Sequence, residues 1–227
     1  MSDLAADAGP PRRRLLLMSG ACGAAAVAAR AGSAPLPKEP TALQLKGPRT
    51  VLVLIDLQNS NANEPFSPIS FAEVVANSLL LAHAVRRSGG MVAYTRVIVQ
   101  QLAKLPTDVQ LPAAPATPNG DDLVASAGFQ RGDTLITKRQ FGAFYGTGLH
   151  DRLRRHGMTT IILAGVATEL GVDSTARAAL DRRYALVFAR DAVSGVSANS
   201  NTMVLDDIFP LFGRVRTTSE IVASLTP

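Results

Sequence analysis

Two side chains and one backbone turn of this 227-residue chain have the chemistry for proton transfer and charge stabilisation. Asp56 follows the apolar run VLVLI at 51–55, so its carboxylate is expected to be partly buried, and burial raises a carboxylate pKa. Lys138 follows the short run TLIT at 134–137; an ammonium beside Asp56 would lower that pKa again. Such a pair holds one carboxylate ready for proton transfer, with the cation fixing it or steadying substrate charge. The same two residues also suit a structural ion pair at the rim of a sheet. The turn over 165–171, GVATELG, leads from an apolar run into a helix with small residues. The first backbone N–H groups of that helix would attract an anion or a developing oxyanion. Thr168 is the expected N-cap and Glu169 complements the helix dipole, while Gly171 offers only backbone.

For these groups to meet, the chain must place them at the same end of one sheet. The run at 51–57 lacks alternation, which predicts a strand covered on both faces, as in a parallel sheet between helices. Residues 71–88 show helical spacing through Val74, Val75, Leu79, Leu81, Ala82 and Val85, closed by Gly89 and Gly90. Further strands are predicted at 91–97, 134–137, 160–164, 185–189 and 214–217, with helices at 149–156 and 173–183. Residues 100–128 form a long excursion rich in Pro, Ala and Asp, of the kind that covers a site or stays irregular. Alternating strands and helices with short connections predict an α/β fold: an open, doubly wound, Rossmann-like parallel sheet of about six strands. In such sheets ligands gather beyond the carboxyl ends of the strands, where Asp56, Lys138 and the 165–171 turn all fall.

Three ordered segments, VLVLIDLQN at 51–59, ITKRQFGAFYGTGL at 136–149 and TIILAGVATELGVDSTARAA at 160–179, resemble the isochorismatase-like (cysteine hydrolase) superfamily. The likeness extends over roughly 50–225. It implies that Asp56 and Lys138 are the catalytic acid and its lysine partner, and that Val166-Ala167 is a cis peptide. It also implies that Gly171 stands where most members carry a cysteine nucleophile. Without that thiol no acyl-enzyme can form, so amide hydrolysis by the nicotinamidase-type route is closed. The chain also resembles true isochorismatases, which have glycine at this position and cleave a vinyl ether with the aspartate as acid and water as nucleophile. By the same resemblance, Val166, Ala167, Thr168 and Leu170 line a substrate pocket with the backbone of Gly171. Gln58, Asn59, Ser60 and Asn61 lack the acid and histidines that zinc-dependent members use. No metal and no cofactor are implied, and a homo-oligomer is.

Other residues compete for roles. Arg96 and Gln100, at the end of the second predicted strand, are candidates for a carboxylate or polar group of the substrate. Arg139, Gln140, Phe141, Phe144 and Tyr145 follow Lys138 and could line the pocket, although Phe141 and Phe144 suit the core or a subunit contact better. Ser174 and Thr175 suit helix packing better than nucleophilic attack. His83, His150 and His156 are scattered without metal spacing.

The length and a hydrophobic content of 47% suit one buried α/β domain, over 50–227. Residues 1–31 hold four arginines against two aspartates, so of the formal charge of +5 the remainder carries +3. No basic stripe interleaved with aromatics is present, which argues against a nucleic-acid partner. Arg12-Arg13-Arg14, an uncharged Ala/Gly-rich run and the small-residue stretch Ala29-Arg30-Ala31 read as a twin-arginine-type signal over 1–31, with a linker over 32–49. Export to the periplasm or the medium is therefore expected, with a cytoplasmic protein as the alternative and no stable membrane anchor, since the run is too short to span a bilayer. Cys22, the only cysteine, lies in that leader. Two functions follow from the sequence. One is a cysteine-independent hydrolase in which Asp56 acts as acid/base and Lys138 as its partner, on a small anionic or carbonyl-bearing substrate. The other is a non-catalytic ligand-binding or scaffolding protein on the same fold.

Overall fold

The central strand is apolar on both sides, and the architecture follows from covering it. A computed structural model describes residues 42–102, 106–109 and 119–227. Its strands and helices are, in chain order, β1 (Leu45–Lys46), β2 (Thr50–Ile55), α1 (Phe71–Arg87), β3 (Met91–Val97), β4 (Thr134–Lys138), α2 (Leu149–Arg155), β5 (Thr160–Val166), α3 (Asp173–Asp181), β6 (Ala185–Ser194), α4 (Ala198–Met203), β7 (Arg214–Arg216), α5 (Thr218–Ser224) and β8 (Leu225–Thr226). Six strands form one parallel sheet in the order β4-β3-β2-β5-β6-β7. This is the expected α/β fold, and the strand order reverses between β2 and β5.

All six residues of β2 are buried. Val51, Val53 and Ile55 face one core with Leu149 and Leu153 of α2 and Ala176 and Ala179 of α3. Leu52 and Leu54 face the other, with Val74, Val75, Leu81 and Val85 of α1 and Ile221 of α5. Full burial of each such aliphatic side chain contributes about 1.5–3 kcal/mol, so the middle of the sheet is the rigid platform on which the strand ends stand. Helix α1 starts at a capping box: the Ser70 hydroxyl accepts from the Glu73 amide at 3.3 Å, and Glu73 accepts from the Ser70 amide at 2.9 Å. Gly165, at φ 113°, lies so close to β2 that a Cβ there would fall 2.1 Å from the Ile55 carbonyl oxygen. Its bare backbone therefore sets the β2–β5 contact.

The structure departs from the sequence expectations at several places. The expected linker ends earlier, because Leu45 and Lys46 pair in parallel with Leu225 and Thr226 and Leu45 is buried. A two-residue strand has no periodicity to detect. The excursion at 100–128 is not patternless in its described part: Leu123 bridges to Gln58, and the Ala127 carbonyl accepts from the buried Tyr94 hydroxyl at 2.8 Å. β6 runs on to Ser194 past a register shift opposite β5, and α4 and α5 had not been expected. The leader, Cys22 and most of the linker lie outside the described residues. Among the described residues no helix is long and apolar enough to cross a membrane.

Candidate active site

Asp56 leaves β2 with φ 52°, in the left-handed region that aspartate and asparagine tolerate better than most residues. Leu54 pairs with Tyr94, so one pleat further on Thr95 lies level with Ile55 and Arg96 with Asp56. Regular alternation would send the Asp56 side chain to the face of Arg96, away from Thr95 and Lys138. The left-handed turn brings it back. The turn is held by Asn61, whose amide donates to the Asp56 carbonyl at 2.8 Å. Gln58 pins the segment that follows, because its buried side chain donates to the Val97 carbonyl and accepts from the Val97 amide, as a neighbouring strand would.

The Asp56 carboxylate is thus gripped from two sides. Lys138 Nζ donates to Oδ2 at 2.7 Å, and the Thr95 hydroxyl donates to Oδ1 at 2.8 Å. Lys138 is 1% exposed and Asp56 6%. The ammonium is otherwise spent on the carbonyls of Phe141, at 2.8 Å, and Gln140, at 3.3 Å. Burial pushes the Asp56 carboxyl above its ordinary range; the Lys138 charge and the hydrogen bonds from Lys138 and Thr95 oppose this without cancelling it. A carboxyl shifted in that direction can keep a proton closer to neutral pH and deliver it, as a general acid must.

Gly171 stands beside this pair. A Cβ at Gly171 would lie 3.5 Å from Asp56 Oδ2, 3.3 Å from the Val166 carbonyl oxygen and 2.9 Å from Ile55 Cγ2. Because Ile55 is fully buried, its methyl has little room to give way. Gly171→Cys is therefore expected to destabilise the fold by about 1–3 kcal/mol, the usual range for overpacking, measurable as a lower urea midpoint. A midpoint at or above that of the parent protein would show that the site accepts a side chain freely.

The turn into Gly171 has the expected cis peptide and departs from expectation in its caps and amides. The Val166-Ala167 peptide is cis, and a π-helical turn, Thr168–Val172, precedes α3. Thr168 is not the N-cap: its buried hydroxyl donates to Asn201 Oδ1 at 2.6 Å, and the residue before the turn is Ala167. The amides of Leu170 and Val172 both donate to the Ala167 carbonyl, so those two are not available to an oxyanion. Glu169 accepts from the Val196 amide and the Ser200 hydroxyl, which ties the turn to the start of α4. Val166 and Ala167 are buried and Leu170 is half-buried.

Three expected substrate contacts are not brought to Asp56. Arg96 shares the face of Thr137, donates to its hydroxyl at 3.1 Å and pairs with Asp122 at 2.9 Å. Alternation along β3 puts it opposite Thr95. Gln100 is exposed on a 3-10 turn, Val99–Gln101. Phe144 belongs to the core, stacked on Tyr184 at 6.1 Å between ring centres, with the Arg182 guanidinium over its ring. Conversely, Thr95, Asn61, Gln58 and Asn201 escaped the sequence reading as site residues. A hydroxyl inside an otherwise mostly apolar strand was the one signal for Thr95. Among the described residues no group of three or more His, Cys, Asp or Glu side chains is placed to hold a metal ion.

The model of the isochorismatase domain matches residues 50–220. The chain belongs to the isochorismatase family. Within that family it is 39% identical over 187 residues to a protein of Escherichia coli O157:H7, covering 81% of this chain and all of the other. A family protein of Bacillus subtilis strain 168 is 38% identical over 180 residues, 77% of this chain and 93% of its own length. The solved isochorismatase-family structure from Burkholderia thailandensis superposes with a TM-score of 0.77 at 38% identity, covering 82% of this chain and 99% of that one. The Asp56–Lys138 pair and the Gly171 turn thus sit at the carboxyl edge of an isochorismatase-family sheet.

Proposed function

We propose that this isochorismatase-like hydrolase works without a cysteine, with Asp56 as general acid/base and Lys138 as its electrostatic partner, on a small anionic or carbonyl-bearing substrate. The observation that carries the proposal is the buried Asp56 carboxyl, held 2.7 Å from Lys138 Nζ and facing the position of a missing Cβ at Gly171. Acid/base chemistry with water as nucleophile needs no more than this from the protein. A vinyl ether, whose protonation makes it open to water, fits better than an amide cleaved by the cysteine route, which needs the thiolate that Gly171 lacks.

The test is a screen of the purified full chain against vinyl ethers, esters and amides, before and after a thiol-alkylating reagent. Turnover of a vinyl ether or ester that survives alkylation is expected, since Cys22 is the only thiol in the sequence. Activity abolished by alkylation would overturn the proposal. Binding without turnover of any substrate would favour the scaffolding or ligand-binding role.

Two properties of the whole chain are proposed with it. Residues 1–31 direct export, a proposal resting on the order of arginine cluster, apolar run and small-residue site. The N-terminal mass of protein from the native cell is expected to show cleavage near Ala31; intact Met1 or Ser2 in cytoplasmic material would refute it. The protein is also proposed to act as a homo-oligomer, by its likeness to the family, with no nucleic-acid partner and no stable membrane anchor.

A further inference from the structure

The Asp56 carboxyl has two chemically equivalent oxygens, but the protein treats them differently. Thr95 is buried in β3, and its hydroxyl has a single proton to give. Its oxygen accepts from the Asp56 amide at 3.2 Å while the hydroxyl donates to Oδ1 at 2.8 Å. Both capacities are therefore spent on one residue: Thr95 grips Asp56 by its backbone and by one carboxyl oxygen. Oδ1 is thereby turned toward the buried hydroxyl of β3. Oδ2 is on the other side of the carboxyl, against Lys138 Nζ and 3.5 Å from the place of a Gly171 Cβ. Lys138 only donates, and it uses one lone pair of Oδ2. Each carboxyl oxygen keeps a second lone pair, and that of Oδ2, the oxygen nearer the Gly171 position, is the one placed to exchange a proton with a molecule at the turn.

We propose that Thr95 is a positioning residue that engages Oδ1 of Asp56, and so makes Oδ2, between Lys138 and Gly171, the oxygen through which protons pass. The proposal rests on the acid/base role given to Asp56 above and adds which atom performs it. In a hydrolytic cycle Oδ2–H gives its proton to the substrate. For a vinyl ether, water then adds its oxygen to the resulting cation and the proton it releases returns to Oδ2; the hemiketal so formed breaks its C–O bond to the ether oxygen as its hydroxyl proton passes to that oxygen, leaving a carbonyl compound and an alcohol. One water is consumed and the carboxyl ends as it began. Thr95 takes no proton in the cycle. It has two separable effects: it stabilises the charged carboxylate through a donated hydrogen bond, and it fixes the rotation of the carboxyl about its Cβ–Cγ bond.

The two effects are tested on the full chain with Thr95→Val, which keeps the branched shape and loses the hydroxyl, and Thr95→Ser, which keeps the hydroxyl. The Asp56 titration is followed by carbon NMR of labelled aspartate carboxyls. Thr95→Val is expected to raise the Asp56 midpoint by about one pH unit, the scale of a hydrogen bond to a charged group, and Thr95→Ser to restore it. On any substrate found for the protein, the pH profile of kcat should move with that midpoint in Thr95→Val, with KM little changed. An unmoved midpoint in Thr95→Val, or a failure of Thr95→Ser to restore it, overturns the proposal, because loss of packing alone would not move a titration. Should Thr95→Val fail to fold, the parent protein decides: a protected Thr95 hydroxyl proton that shifts as Asp56 titrates is expected, and a rapidly exchanging one overturns the assignment. The hydrolase proposal fails separately, if Asp56→Asn leaves turnover intact while the Thr95 effects on the titration persist.

Discussion

Asp56→Asn should lower turnover by about 10²- to 10⁴-fold on any substrate the protein hydrolyses, the range that general acid/base catalysis supplies. Asparagine keeps the shape and can still occupy the left-handed backbone at φ 52°, and a urea midpoint measured beside the rate separates the lost chemistry from the cost of leaving Lys138 without its counter-charge. The parent protein carries a pH signature that the variant lacks. Burial raises the Asp56 carboxyl against the opposing pull of Lys138 and Thr95, so the protonated acid survives above the ordinary carboxylate range. If Asp56 is the proton donor, kcat falls as pH rises through that raised value. Unchanged turnover in Asp56→Asn would remove the acid/base role.

Lys138→Met should have the largest effect on stability, and the effect should depend on pH. Removing one member of a buried pair leaves the other charge uncompensated, at a cost of about 3–5 kcal/mol. Asp56 can escape that cost only by keeping its proton, so its folded-state pKa rises further than in the parent protein. Between the unfolded value, about 3.9, and the folded value, the unfolded chain releases the proton and the folded chain keeps it. Stability then falls as pH increases through that window. The parent protein should show the same sign with a smaller amplitude. Urea unfolding of both proteins near the acid end of the window and at neutral pH measures the difference. A variant equally destabilised at both would show that Lys138 acts through packing and its carbonyl contacts instead of through the charge.

Much of this is legible in the chain because short β-branched apolar runs without alternation read as buried strands. The runs at 51–55 and 160–164 led to β2 and β5, and with them to the strand ends where Asp56 and the Gly171 turn lie. The direction in which a side chain leaves a strand end is harder to read. Arg96 suits a substrate's carboxylate or polar group by its type and place, yet the pleat of β3 turns it to the far face, where Thr137 and Asp122 engage it. Asp56 reaches Lys138 only because one backbone torsion breaks the alternation, and nothing in the letters VLVLIDLQN states the sign of that torsion. An aromatic after Lys138 fits a pocket and, better, a core or subunit contact; the stacking of Phe144 on Tyr184, 40 positions later, decides for the core. Thr95 was passed over because its partner is 39 residues away and becomes visible only through strand pairing.

The pairing of β1 with β8 has a mechanical consequence. The strands are parallel, with Leu45 opposite Leu225 and Lys46 opposite Thr226. A pull on the chain ahead of Leu45 and an opposite pull beyond Thr226 would slide the two strands along their common axis. Their hydrogen bonds would then carry load together, in shear, whereas an antiparallel pair pulled from one end opens bond by bond. β1 also enters β2 at Thr50, the end of the sheet remote from Asp56. Tension on the ends of the folded domain would thus be taken up by this small clasp, a full strand length away from the reacting groups.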